Sequence, residues 1–268
     1  AHGGYVLPDN VPANEFLNIE GQKVSTSRNW AVWVDEYVKD FPDQQDMLRY
    51  VLCANAPESK DNDFTWKDFQ DRINNELVSV FGNFVNRAFV LMHKLCNGRV
   101  PALHADVMDA ADHALIADIK AAKQEVENCL EHYKFRDGLY AVVDLARKAN
   151  KYMQDKEPWI VAKSVAADPE KQKLIDNCLH LCLQLTANLA ILVNPFLPFT
   201  AKKMCHMMKV VDRMLDWENA GSIDLLKVNY PLRAPELLFR KVEDAEVAAQ
   251  VEKLHNNLKN AAKAMENT

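Results

Sequence analysis

The chain has 268 residues, 49% of them apolar, and a formal net charge of −6. That length allows one large or two modest domains with a sizeable core, and the charge argues against indiscriminate coating of nucleic acid while permitting a local basic patch for one shaped RNA. No run of eighteen uninterrupted apolar residues exists and no signal-peptide pattern is visible, so no membrane partner is expected.

Three of the seven glycines fall within the first 21 residues. The stretch Gly21 to Asn29 (Gly-Gln-Lys-Val-Ser-Thr-Ser-Arg-Asn) then reads as a flexible, polar, basic loop. Such a loop can fold over a polyphosphate, with Lys23 as a mobile cation, Ser25, Thr26 and Ser27 as hydroxyl donors, and Arg28 as a second charge. It lacks the glycine-rich cradle of a Walker loop, and Ser or Thr beside Lys is common in any surface loop.

Beyond Asn29 only Gly82, Gly98, Gly138 and Gly221 remain, too few for the tight turns of a many-stranded domain. Helical periodicity takes over. Short helices are predicted from Trp30 to Phe41 and from Asp46 to Ala54, separated by Pro42-Asp43. Thr65 caps a helix from Trp66 to Cys96, which Asn97-Gly98 ends. Further helices are predicted at Asp109–Tyr133, Arg136–Gln154, Glu170–Val193, Ala201–Leu215 and Ala245–Met265, with Asn194 to Pro198 breaking the chain. The expected fold is mainly α, an antiparallel helix bundle with short connections. Six cysteines scattered in helical contexts read as reduced thiols in a cytoplasmic core.

Two places look polar where a bundle is apolar. On the helix from Trp66, the residues Asn75, Ser79, Asn83, Asn86 and Arg87 form one stripe at three- and four-residue spacing. Asn83 and Arg87 lie one turn apart beside Gly82, and offer an amide and a planar donor fork to a base edge. A solvated face is the plainer reading. Later, Asn150, Gln154 and the Pro158-Trp159 pair place an indole among polar side chains at a helix end. That suits a splayed base of single-stranded RNA, or a tryptophan packed in the bundle with Pro158 merely ending the helix and Lys163 capping it.

Cys178, His180 and Cys182 resemble a metal set on paper, but on a helix His180 points away from the two thiols, so core packing is the expected role and no metal site is assigned. The acidic stretch from Glu236 to Glu252 reads as a solvated helix face.

The run Leu7 to Asn18 (Leu-Pro-Asp-Asn-Val-Pro-Ala-Asn-Glu-Phe-Leu-Asn), then Lys23 to Asn29, Leu48-Arg49-Tyr50, Pro57-Glu58 and Asp61 to Phe64, resembles the methionyl-tRNA synthetase family of class I aminoacyl-tRNA synthetases. Lys23 to Ser27 stands at that family's Lys-Met-Ser-Lys-Ser signature. Val24 departs from the usual Met or Phe, and Thr26 stands where the second lysine is frequent. The likeness continues to about Phe239.

The resemblance implies that Lys23, Ser25, Thr26 and Ser27 face ATP. Asn83, Arg87 and Trp159 would read the tRNA anticodon, with Ser79, Asn150, Gln154 and Pro158 lining the same place; Ser79 stands where the family has a further asparagine. The chain opens Ala1-His2-Gly3-Gly4, without an initiator methionine, a His-x-Gly-His motif or a paired-cysteine zinc knuckle. It is therefore expected to be a C-terminal portion: residues 1–64 end the catalytic α/β domain, 65–235 form the helical anticodon-binding domain, and 236–268 form an amphipathic tail returning towards the catalytic domain.

Alone it would hold no cofactor and form no adenylate. Its parent would use ATP with magnesium, methionine and methionine tRNA (anticodon CAU), with zinc in the upstream part. The alternatives are a related class I synthetase, for leucine, valine or cysteine, and a non-catalytic helical tRNA-binding scaffold.

Overall fold

The computed structural model describes residues 3, 4 and 6–266. The expected opening at Ala1-His2 and the last two residues of the expected tail lie outside the described residues.

A small sheet comes first. Strands β1 (Leu17–Ile19) and β2 (Gln22–Lys23) pair antiparallel, and β3 (Asn62–Phe64) runs parallel to β1 on its other side. The β1–β2 connection is the two-residue turn Glu20-Gly21, with φ of 47° and 72°. Positive φ at both positions gives a turn whose twist matches the flanking strands, and glycine carries the second at no steric cost. The Asp63 carboxylate accepts the Gly21 N–H at 3.0 Å, and Glu20 Oε1 accepts the Trp66 N–H at 2.8 Å.

Helices α1 (Val34–Asp40), α2 (Gln45–Ala54), α3 (Trp66–Arg72), α4 (Asn83–Leu95), α5 (Ala110–Glu131), α6 (Phe135–Lys156), α7 (Pro158–Val161), α8 (Gln172–Val193), α9 (Pro198–Met208) and α10 (Asp244–Glu266) make up the rest, with short 3-10 turns between. The mainly helical expectation holds. Thr65 Oγ1 accepts the Asp68 N–H at 3.0 Å, and Asp109 opens α5 with a reciprocal capping box through Asp112. From Asn177 to Val193 every residue of α8 is buried, so this is the bundle's central rod. By hydropathy and length, residues 169–193 would pass for a membrane span; the apolar window is 89% buried inside the bundle, which accounts for its character. Cys178, His180 and Cys182 all lie in that core, with His180 Nδ1 at 2.9 Å from the Pro101 carbonyl.

Polar side chains of α8 fix a loop. Gln184 Oε1 accepts the N–H groups of Leu225 and Leu226 at 2.8 and 3.0 Å, and Asn188 Oδ1 accepts that of Gly221 at 2.6 Å. The loop at 221–226 thus keeps its backbone satisfied although it is partly buried.

Three expectations change. The helix expected from Trp30 begins at Val34, because Trp30 is held in an antiparallel bridge to Ser25. The helix expected through Leu215 stops at Met208: Lys209 turns left-handed (φ 55°), its N–H bonds His206 O at 3.1 Å, and that of Val210 bonds Cys205 O at 3.1 Å, a Schellman stop made without glycine. Between α3 and α4 the chain widens into a ten-residue π-helical segment, Ile73–Gly82. Such wide turns recur at functional sites.

Candidate functional site

The hairpin after β2 is closed by backbone hydrogen bonds, where the letters suggested an open loop. Ser25 and Trp30 exchange both backbone hydrogen bonds, at 3.0 and 2.8 Å, and the Asn29 N–H reaches Thr26 O at 3.0 Å with Asn29 left-handed at φ 52°. Inside the turn, the Ser25 and Ser27 hydroxyls lie 3.2 Å apart, and Ser25 Oγ accepts the Arg28 N–H at 3.3 Å. Arg28 Nη2 donates back to Lys23 O at 3.4 Å. Arg28 and the two serines therefore shape the turn. Lys23, by contrast, is exposed, its ammonium 5.8 Å from the Phe16 ring centre, and the exposed Thr26 side chain makes no hydrogen bond among the described residues. One exposed cation and one exposed hydroxyl are left without a side-chain hydrogen bond among the described residues of this hydrogen-bonded turn.

The second site forms where α4, α6 and α7 meet. Asn83 is the first residue of α4, and its Nδ2 donates to Asn150 Oδ1 of α6 at 3.2 Å. Asn150 Nδ2 donates in turn to Val80 O at 2.9 Å and Ala146 O at 3.1 Å. Val80 belongs to the π segment, whose widened turn frees carbonyls for such a partner. One turn along α4, the Arg87 guanidinium lies over the Trp159 ring, 5.1 Å from its centre. Trp159 is half-buried and packs against the core on one side.

The Trp159 indole is placed by the α6–α7 joint. Glu157 is left-handed at φ 43°, ending α6 and starting α7, and Pro158 takes the first position of α7, where its missing N–H costs nothing. Below the joint, Lys156 Nζ pairs with Asp112 Oδ1 at 2.6 Å and Asp109 Oδ1 at 2.8 Å, and Tyr152 Oη donates to Asp112 at 2.7 Å. Asp112 is 1% exposed, so this charge pair is a deep anchor.

The structure brings Asn83, Arg87, Asn150 and Trp159 together. Pro158 is buried beneath them and gives the joint its shape. Gln154 lies exposed one turn beyond Asn150, without a side-chain hydrogen bond among the described residues. Ser79 is less available than the stripe implies: it lies inside the π segment, and its hydroxyl donates to Asn74 O at 2.7 Å. Gly82 serves a different close approach, since a Cβ there would stand 3.0 Å from Leu77 O and 3.4 Å from the Phe239 ring.

The anchor residues Asp112 and Lys156 were missed from sequence. An acidic residue three after an N-cap aspartate reads as a capping box, which it also is; its second role needs the 44-residue separation to be closed by folding.

The family model for the anticodon binding domain of methionyl tRNA ligase matches residues 100–259, and that for class I (M) tRNA synthetases matches residues 1–89. The chain belongs to the methionyl-tRNA ligase family. It is 53% identical over 256 residues to the methionine--tRNA ligase of Cytophaga hutchinsonii, covering 96% of this chain, and 54% identical over 254 residues to that of Bacteroides fragilis, covering 95%. It spans 36% of the length of these relatives. Two structures of Mycobacterium tuberculosis methionyl-tRNA synthetase share the fold, at 22% and 24% identity. The first, an apo form, has a TM-score of 0.72 over 86% of this chain and 43% of its own. The second, in complex with methionyl-adenylate, has 0.73 over 85% and 43%.

Proposed function

We propose that this chain is the signature-loop and anticodon-reading portion of a methionine--tRNA ligase. The bundle takes the anticodon loop of methionine tRNA (CAU), and the hairpin serves the ATP-dependent step in which methionine becomes an adenylate. The observation that carries the reading is the Arg87–Trp159 pair beside the Asn83–Asn150 hydrogen bond. Four side chains from three helices converge: an indole, a guanidinium and the Asn83 amide are offered to an unstacked base, and Asn150, whose own amide is bonded to Val80 O, Ala146 O and Asn83, holds Asn83 in place. Class I relatives for leucine, valine or cysteine gain no support from the two family matches, and the exposed Lys23 argues against a mere scaffold.

In the proposed division of labour, residues 1–64 belong with the catalytic domain, 65–235 read the tRNA, and 236–268 return towards the hairpin. ATP brings magnesium. Lys23 meets negative charge that develops as pyrophosphate leaves, and Thr26 offers a neutral hydrogen bond where other family members place a lysine. Zinc, expected upstream of this segment, enters no step assigned to these residues. The setting is the cytoplasm.

The reading is tested by binding a CAU anticodon stem-loop RNA to the chain, against the same hairpin with the three anticodon bases changed. Preferential binding of CAU supports it. Equal binding of both RNAs refutes it.

A further inference from the structure

We infer that His255, on the C-terminal helix, is a positioning residue for the Lys23–Asn29 hairpin. Helix α10 is pinned across α1 by Gln250 Nε2, which donates to Asp40 at 2.8 Å, and by Lys253 Nζ, 2.8 Å from Glu36 and 2.9 Å from Asp40. Leu254, 3% exposed, fills the space between. The next residue, His255, sets its ring 5.4 Å from the Trp30 ring at an interplanar angle of 60°.

Trp30 is the clasp of the hairpin. It is fully buried, its indole N–H donates to Ile19 O of β1 at 2.9 Å, and its main chain makes both bonds to Ser25. Three residues on, the Trp33 indole N–H donates to Asn29 Oδ1 at 2.6 Å and so holds the left-handed residue that closes the turn. Trp33 also lines a small cleft with Gln250, Lys253 and Asn257. Of the two tryptophans that fasten the hairpin, Trp30 touches α10 directly and Trp33 faces it across that cleft. His255 is otherwise exposed, so its ring contact with Trp30 is its main attachment among the described residues.

The far end of α10 is tied down elsewhere. Gln70 donates to Val242 O at 3.1 Å and to Asp244 at 2.7 Å, and Asn74 pairs with the Val242 backbone in both directions at 2.9 Å. Asn74 lies in the π segment that leads into Asn83. From Asp244 to His255 is about 17 Å along the helix axis. The helix is a strut from the π segment to the hairpin.

The catalytic part of this inference rests on the hairpin meeting ATP, so two measurements separate the claims. On the chain itself, hydrogen exchange at the Ser25 and Trp30 amides should rise about three- to tenfold in His255→Ala, the range expected for one aromatic contact. Amides of α8 should not change, and His255→Phe should restore protection. In the full-length ligase, His255→Ala should lower kcat for methionine-dependent ATP–pyrophosphate exchange by a similar factor, with KM for methionine and affinity for the CAU stem-loop unchanged. Lys23→Ala in the same assay tests the ATP reading independently. If Lys23→Ala abolishes exchange while His255→Ala leaves both kinetics and amide protection at wild-type values, the positioning role is overturned and the ATP reading stands. A uniform loss of protection across α8 in His255→Ala would likewise overturn it.

Discussion

Arg87 and Trp159, 72 positions apart in sequence, meet with the guanidinium 5.1 Å from the indole ring centre. A base that stacks on Trp159 would find the indole set in place by the buried joint at Pro158, but with the Arg87 guanidinium over its ring, so Arg87 must shift aside or share that face on binding.

The hairpin geometry separates two neighbouring residues. Lys23→Ala in the full-length ligase should slow adenylate formation by about 3–4 kcal/mol, roughly a hundred- to a thousandfold, with methionine binding nearly unchanged. Thr26→Ala should cost about 0.5–1.5 kcal/mol, the net worth of a neutral hydrogen bond. The chain alone should show no methionine-dependent ATP–pyrophosphate exchange. Single-turnover kinetics check the two variants, and equal small losses would make the hairpin a linker.

The anchor beneath the α6–α7 joint should be strongly coupled to stability. Asp112→Ala leaves Lys156 with only the more exposed Asp109, and also removes the acceptor of the Asp109 N–H. Breaking a buried pair in this way costs about 3–5 kcal/mol. Urea unfolding measures it, and CAU stem-loop affinity should fall in the same variant because Lys156 adjoins the joint that carries Trp159. A loss under about 1 kcal/mol would mean the pair is incidental.

Docking of α10 should depend on pH at the acid end. Hydrogen bonds from Gln250 and Lys253 hold the Asp40 carboxyl below its ordinary value, and the Arg240 guanidinium does the same for Glu246. For a depressed carboxylate the folded state binds fewer protons than the unfolded one. The stabilisation is therefore full above the ordinary aspartate and glutamate values and is lost as pH falls through the lowered ones. Trp30 fluorescence followed from pH 7 downward should report undocking, and Asp40→Asn should flatten that dependence.

The thiols should be sluggish. Burial, with a contribution from Glu58, pushes the Cys53 thiol up to about 12, and burial beside Asp176 does the same for Cys96. At pH 8 a thiol near 12 is about one part in ten thousand thiolate. Alkylation of the folded chain should be slow and should accelerate sharply on unfolding; fast labelling of Cys53 would contradict the packing around it.

Helix content and order were readable because long apolar periodicity, Thr65, Asp109 and Asn97-Gly98 are local signals. Asn83 and Arg87 were readable as misplaced polar groups on an apolar helix, and the family resemblance supplied the role proposed for them. What sequence could not show depended on distance. Trp30 looked helical because its letters carry no sign of the bridge to Ser25 and its cover by His255 is tertiary, and Ser79 was placed in one regular stripe because α-helical spacing was assumed through Ile73–Gly82. A π segment has no period in its letters. Likewise the Glu236 to Glu252 stretch reads as solvated face, yet Gln250 and Glu246 spend their side chains on internal partners.

The most direct test of the central claim is the affinity of the chain for the CAU anticodon stem-loop, compared with its anticodon-changed counterpart, for wild type and for Trp159→Ala, Asn83→Ala and Arg87→Ala. Trp159→Ala should lose about 1–3 kcal/mol of binding, the worth of one stacked base. Asn83→Ala and Arg87→Ala should in addition narrow the gap between the two RNAs. Lys173→Ala, whose side chain only bridges Asp106 and Glu170 at the surface, should leave that gap intact. If a folded Trp159→Ala chain binds both RNAs as wild type does, Trp159 is a packing residue and the anticodon assignment is wrong.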